Sequence, residues 1–135
     1  MTGETDLAAL LGGMKPVLDP RRFHFSTHPE LTLAEAAQFA PIAVFQEPEG
    51  LTLITESDEE PRYAMITLTI HSSLEAVGLT TVVSSALSSA QISANVVAAF
   101  YHDHVFVPER DAERALDTLK PVSYTHLTLP TKRIV

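Results

Sequence analysis

The clearest periodicity lies in the second half of the chain. Ile66, Leu68 and Ile70 alternate with Met65, Thr67 and Thr69, the period of two expected of a strand with one buried face. Ser72-Ser73-Leu74-Glu75 then matches a capping box, in which a serine side chain and a glutamate three residues later satisfy each other's backbone N–H groups and start a helix. Leu79, Val82, Val83, Ala86, Leu87 and Ala90 follow the spacing that buries one helical stripe. The opposite side carries Thr80, Thr81, Ser84, Ser85, Ser88 and Ser89, without a charge. Two further strands are predicted at residues 92–100 and 105–107, with His102-Asp103 as the turn between them. A last helix over 109–119 turns Ala112, Ala115, Leu116 and Leu119 inward and keeps Glu109 and Asp111 in its favourable first turn. The second half therefore reads β-α-β-β-α.

The first half is marked more by breakers than by periodicity. Thr5 caps a short helix that ends at Gly12 or Gly13. Residues 16–18 and 23–27 read as two short strands around a turn at Asp19-Pro20-Arg21-Arg22. One or two helical turns are expected over 33–40. Residues 42–46 and 51–55 bracket Glu47-Pro48-Glu49-Gly50, a hairpin signal because glycine takes positive φ without steric cost. The acidic stretch 56–61 reads as a solvated linker. It divides the chain into units at 1–60 and 61–121.

Composition narrows the function classes. Of 135 residues, 45% are hydrophobic and 19% charged, which suits a folded domain rather than a disordered chain. No cysteine is present, so disulfides, thiolate nucleophiles and cysteine-ligated metals are excluded. A net charge of −8, spread along the chain, argues against nucleic acid and against an anionic membrane surface. No apolar run approaches the roughly 20 residues of a membrane span, and the acidic start is unlike a signal peptide, so a cytoplasmic location is expected. Residues 122–135 break from the preceding acidic, alanine-rich style. Residues 122–131 resemble one reading frame of the transposon-end adapter used in sequencing libraries, and the natural sequence is expected to be interrupted near Pro121. Setting Lys132 and Arg133 aside with this tail takes the net charge from −8 to −10.

Three runs carry a resemblance: residues 71–79, HSSLEAVGL; residues 92–97, ISANVV; and residues 101–108, YHDHVFVP. Together they resemble a small bacterial family of tandem ACT-domain proteins and are similar to the ACT domains of the CASTOR-type arginine sensors and of aspartokinases. Met14-Lys15-Pro16 and residues 47–54 resemble the N-terminal ACT-like unit of that family. The likeness spans about residues 5–120 and implies an α+β, ferredoxin-like βαββαβ fold in tandem, with antiparallel sheets and helices on one face. It implies a regulatory, non-catalytic role, an amino acid as ligand at the interface between domains, no cofactor, and a homodimer. The last strand of the second unit is missing from the sequence pattern. It is expected from the N-terminal half, from a lost C-terminus or from another subunit.

Several residues are candidates for contact with that ligand. The resemblance places a ligand at the strand-to-helix turn, which assigns Ser72, Ser73, Leu74, Glu75 and Gly78; a helix N-terminus also suits a carboxylate. The same Ser72 and Glu75 equally serve as caps. In the same relatives the second hairpin lines the site, which makes Asp103 a partner for a cationic group and Phe100 an apolar wall. Asp103 is equally a turn former. Asn95 fits either a ligand contact or a strand-edge hydrogen bond. His102 and His104, two apart, raise a metal hypothesis, but the third ligand would have to be His71 or a carboxylate from another segment, and no metal is expected. His24 and His28 read as surface residues. The uncharged hydroxyl face of the first main helix reads either as a packing surface or as an exposed serine-rich face. Two rivals to the amino-acid sensor remain: an interaction module that uses the ACT dimer surface without ligand, and a histidine-based metal hydrolase.

Overall fold

The computed structural model describes residues 15–69 and 76–120, with 76–79 described by backbone alone. The predicted helix at Thr5, the capping box at Ser72 and Glu75, and the tail from 122 onward lie outside the described residues. The first half forms strand β1 (Pro16–His28), helix α1 (Leu33–Ala36) continuing into a 3-10 turn at Ala37–Phe39, and strands β2 (Ala43–Glu47) and β3 (Gly50–Glu56). The second half forms strand β4 (Tyr63–Leu68), helix α2 (Ala76–Ser89), and strands β5 (Asn95–Ala98) and β6 (Asp103–Pro108). A 3-10 turn at Glu109–Asp111 and helix α3 (Ala112–Leu119) complete it.

Local chemistry explains most of these boundaries. Thr32 opens α1 with a full capping box: its Oγ1 accepts from the Glu35 N–H at 3.2 Å, while its own N–H donates to the Glu35 carboxylate at 2.9 Å. Gly50 closes the β2–β3 hairpin at φ 144°, and a Cβ there would lie 2.7 Å from the Pro29 Cα. Helix α2 ends in a Schellman motif at Gln91, whose φ is 60°. Its N–H donates to the Ser88 carbonyl, and the Ile92 N–H reaches back to the Leu87 carbonyl, each at 2.9 Å. Ile92 is consequently buried against Leu87 at the helix end, which is why β5 begins at Asn95 and not at residue 92.

The turn expected at residues 19–22 is instead a bulge within one 13-residue strand. Leu18 pairs with Ile66 and Arg22 with Ala64, so Asp19, Pro20 and Arg21 together stand opposite Met65. Pro20 is tolerated there because no ladder donor is needed. Asp19 Oδ1 accepts from the Arg21 N–H at 2.8 Å, the hydrogen bond of an Asx turn. The turn chemistry is present, but the strand continues in the same direction beyond it.

Among the described residues all strand pairs are antiparallel and form a six-stranded sheet in the order β2-β3-β1-β4-β6-β5. β1 pairs with β3 along residues 23–28 and with β4 along residues 16–23. It fills the position beside β4 that the second half lacked, so the N-terminal half supplies the missing strand. Three helices of the described residues cover one face. Helices α2 and α3 pack Val83, Leu87, Ala112, Ala115 and Leu119 onto Ala64, Ile66, Leu68, Val105 and Val107. Ala36 of α1 meets Leu51 and Leu53. Arg114 joins the two longer helices, donating to the buried Asp111 carboxylate at 2.9 Å and to the Ala90 carbonyl at 2.8 Å.

The acidic segment 56–61 is largely exposed, as expected, yet it is pinned at its ends. The Ser57 N–H donates to the Arg22 carbonyl at 3.0 Å, and Arg62 donates to Glu109 at 2.9 Å and to the Asp58 carbonyl at 3.0 Å. Glu109 also meets Arg22 at 3.4 Å, so one carboxylate ties β1, the linker end and the entry to α3 together.

Candidate functional site

The second face of the sheet carries no helix among the described residues, and it is apolar at its centre. Strand alternation puts Phe23, Phe25, Ile54, Tyr63, Met65, Phe106 and Val97 on this side. The rings interlock edge to face, with centroids 5.9 Å apart for Phe23 and Phe106, 5.3 Å for Phe25 and Phe106, and 5.2 Å for Phe25 and Tyr63. Burial on both faces explains why β4 buries Met65 as well as Ala64 and Ile66, where sequence alternation predicted one buried face.

Edge strands of a flat six-stranded sheet would stand about 24 Å apart. Here residues of both edges line one concavity of about 330 Å³, so the sheet curls toward its helix-free face. The first half contributes Arg21 from the bulge, and Ile42 and Ala43 at the start of β2. The second half contributes Met65, Val97 and Ala99, with His104 and Phe106 from β6. The volume falls at the lower end of the roughly 300–1,000 Å³ typical of ligand pockets.

Two polar groups mark this concavity. Arg21 donates through Nε and Nη2 to the Asp19 carboxylate at 2.9 and 3.0 Å, and its guanidinium carbon lies 5.0 Å from the centroid of the Phe23 ring. The hydrogen bond from Arg21 holds the Asp19 carboxyl below the ordinary carboxylate range, and Asp19 in return raises the Arg21 guanidinium. His104 places Nδ1 2.9 Å from Thr67 Oγ1. Partial burial pushes its imidazole below the ordinary histidine value, with the neighbouring His102 acting in the same direction. None of the lining residues is acidic. Among the described residues no group of three or more His, Cys, Asp or Glu side chains is placed to hold a metal ion.

Of the residues singled out from sequence, His104 lines this concavity, and the ligand candidates do not converge on it. Ser72, Ser73, Leu74 and Glu75 lie outside the described residues, and Gly78, on the first turn of α2, is described by backbone alone. Asn95 opens β5 opposite Phe106 and is exposed on the concave side. Asp103 opens β6 opposite Leu68, on the helix-covered side, and so faces away from Asn95. Phe100, 89% exposed, packs on Tyr101 at 4.9 Å in the loop between β5 and β6. That loop closes through the Ala99 N–H and the His102 carbonyl, so the turn spans residues 99–102. His102 and His104 hold their rings 6.4 Å apart. His24 and His28 are half-buried and engaged, with Pro61 and with Ser26 and Phe39 respectively. The hydroxyl face of α2 leaves Thr81, Ser84, Ser85, Ser88 and Ser89 exposed in the single chain.

Two ACT-domain profiles match the sequence, one over residues 2–65 and the other over 60–121. A solved Vibrio cholerae protein, described as of unknown function and possibly a transport protein, shares 41% identity. The match covers 87% of this chain and 93% of that one, with a TM-score of 0.77. The chain belongs to the ACT-domain family. It is a tandem ACT protein with the α+β, ferredoxin-like architecture that the sequence pointed to, its two units merged through β1 and β4. The regulatory subunit of aspartate kinase from Thermus thermophilus shares the fold at 12% identity and a TM-score of 0.59, over 79% of this chain and 95% of that one. A protein from Agrobacterium tumefaciens does so at 20% identity and a TM-score of 0.55, over 73% and 78% of the two chains. No curated protein matches the sequence. ACT domains as a class are regulatory ligand-binding modules, and no helix among the described residues is long and apolar enough to cross a membrane.

Proposed function

We propose that this tandem ACT protein is a non-catalytic regulatory module that binds an amino acid between its two ACT units. The observation that supports this reading best is the concavity across the helix-free face, to which both units contribute side chains. A ligand there touches β2 of one unit and β5 and β6 of the other. It therefore favours the curled arrangement of the sheet over any flatter one, and such differential binding is what a regulatory domain needs in order to shift a conformational population. The fold shared with the aspartate kinase regulatory subunit of Thermus thermophilus supports the same reading.

A cytoplasmic homodimer belongs to this proposal. The cysteine-free composition suits a reducing compartment. β2 and β5 end the sheet without a partner among the described residues, and unpaired edges are commonly covered by another chain. A second reading, an interaction module without ligand, is favoured by Phe45, exposed on the same face of β2.

A thermal-shift panel of the twenty amino acids on the full chain separates these readings. A ligand at about 100 times its Kd stabilises by roughly 2.7 kcal/mol, which raises the melting temperature by several degrees for a chain of this size. Silence across the panel contradicts amino-acid binding.

A further inference from the structure

The concavity has a chemistry of its own. Its walls, Ile42, Ala43, Met65, Val97 and Phe106, offer apolar surface and no hydrogen-bonding side chain. His104 adds an imidazole whose Nδ1 is already engaged with Thr67. Among the described lining residues Arg21 is the one that carries a charge, and its guanidinium is already paired with the Asp19 carboxylate, which is not itself a lining residue. Arg21 is also positioned rather than free to swing. The Asx turn of the β1 bulge fixes its backbone, Asp19 takes Nε and Nη2, and the guanidinium lies over Phe23. Its Nη1 donates to no described residue, which leaves one amino group available to an anion at the rim.

A guest that matches this distribution has an apolar body and one carboxylate. A cationic or acidic side chain would bury a second charge against walls that hold no counter-charge, which is costly, whereas the α-ammonium of an amino acid stays beside its carboxylate at the rim, next to the Arg21–Asp19 pair. A nucleotide exceeds both the volume and the single positive charge. We infer that the helix-free concavity is a binding site for a small apolar carboxylate, seated with its hydrocarbon part against Ile42, Met65, Val97 and Phe106 and its carboxylate at Arg21. This names the ligand class of the functional reading above and rests on it for the location. Such chemistry is shared by amino acids with aliphatic or aromatic side chains and by the 2-oxo acids that correspond to them.

The test measures binding by calorimetry on the full chain with L-leucine, L-methionine, L-phenylalanine, the matching 2-oxo acids, L-leucinamide, L-arginine and L-aspartate. The expected result is saturable binding of apolar carboxylates only. Loss of the ligand carboxylate in leucinamide, or of the cation in Arg21→Ala, weakens it at least tenfold, and Arg21→Lys recovers part of that loss. Ala99→Phe, at an exposed lining position, abolishes binding while leaving the circular dichroism and the ligand-free melting temperature unchanged. Binding of leucine, of its 2-oxo acid or of both supports the site and identifies the source of the ligand; binding of the 2-oxo acid alone overturns the amino-acid reading and leaves the site standing. Tight binding of arginine or aspartate, or leucine binding that survives both Arg21→Ala and Ala99→Phe, overturns the site while leaving an amino-acid sensor intact. Absence of any binding overturns both.

Discussion

Phe23 tests whether the two ACT units fold as one body. It is fully buried and sits at the crossing point of the sheet, paired with Glu56 on β3 and with Tyr63 on β4. Its ring meets Phe106 edge to face, so its removal opens a cavity against strands of both halves. Phe23→Ala should destabilise by about 3–5 kcal/mol, a large share of the roughly 5–15 kcal/mol typical of a folded domain. Phe23→Leu keeps most of the burial and loses mainly the aromatic pairing, about 0.5–1.5 kcal/mol. Urea denaturation followed by far-UV circular dichroism reads both. With a slope near 1.5 kcal/mol/M, Phe23→Ala moves the midpoint down by about 2–3 M. The wild type and both variants should unfold in one transition, because β1 belongs to both halves of the sheet. Two transitions of which only one moves, or a midpoint change below about 0.5 M for Phe23→Ala, would refute the shared core.

Other substitutions address local features. Gly50→Ala should cost more than about 1 kcal/mol, since φ 144° and the approach to Pro29 leave no place for a Cβ, and denaturation midpoints read it directly. Thr32→Ala should cost about 0.5–2 kcal/mol through loss of the capping box, whereas Thr32→Ser should be nearly neutral. For His104 the folded imidazole titrates below its unfolded value, so stability attached to the neutral form is present above the ordinary value of about 6.5 and is lost as pH falls through the folded one. His104→Gln should flatten that part of the stability profile, and proton NMR should show His104 titrating below the ordinary histidine value. The contacts of Glu109 with Arg22 and Arg62 are partly exposed; Glu109→Gln should cost no more than about 1 kcal/mol, and less at high salt.

The second half of the fold was legible because its signals are local. Period-two alternation through Ile66 and Leu68, the helical stripe through Val83 and Leu87, and the inward alanines of α3 each reflect packing between helices and sheet that is visible within one element. The β2–β3 hairpin was legible for the same reason, through Gly50. Pairing between distant segments was not. Nothing in residues 16–28 announces that one strand serves two neighbours, and the turn chemistry of Asp19 and Pro20 hides the continuity of β1. The candidate site suffered similarly. Arg21 stands in a stretch with the sequence of a turn, and Ile42, Ala43, Val97 and Ala99 gather only because the sheet curls, a property of the whole sheet. One signal is present in the sequence: Phe106 stands between Val105 and Val107, and Met65 between Ala64 and Ile66, so β6 and β4 are apolar on both faces. Burial on both faces points to a second packed surface.

The most direct measurement is a methyl NMR titration with the amino acid that raises the melting temperature most. Methyl groups of Ile42 and Ala43 on one unit, and of Met65, Val97 and Ala99 on the other, should shift together along one saturation curve with a single Kd. Shifts confined to one of the two units, or binding that leaves all five groups unmoved, would contradict a ligand site shared across the seam.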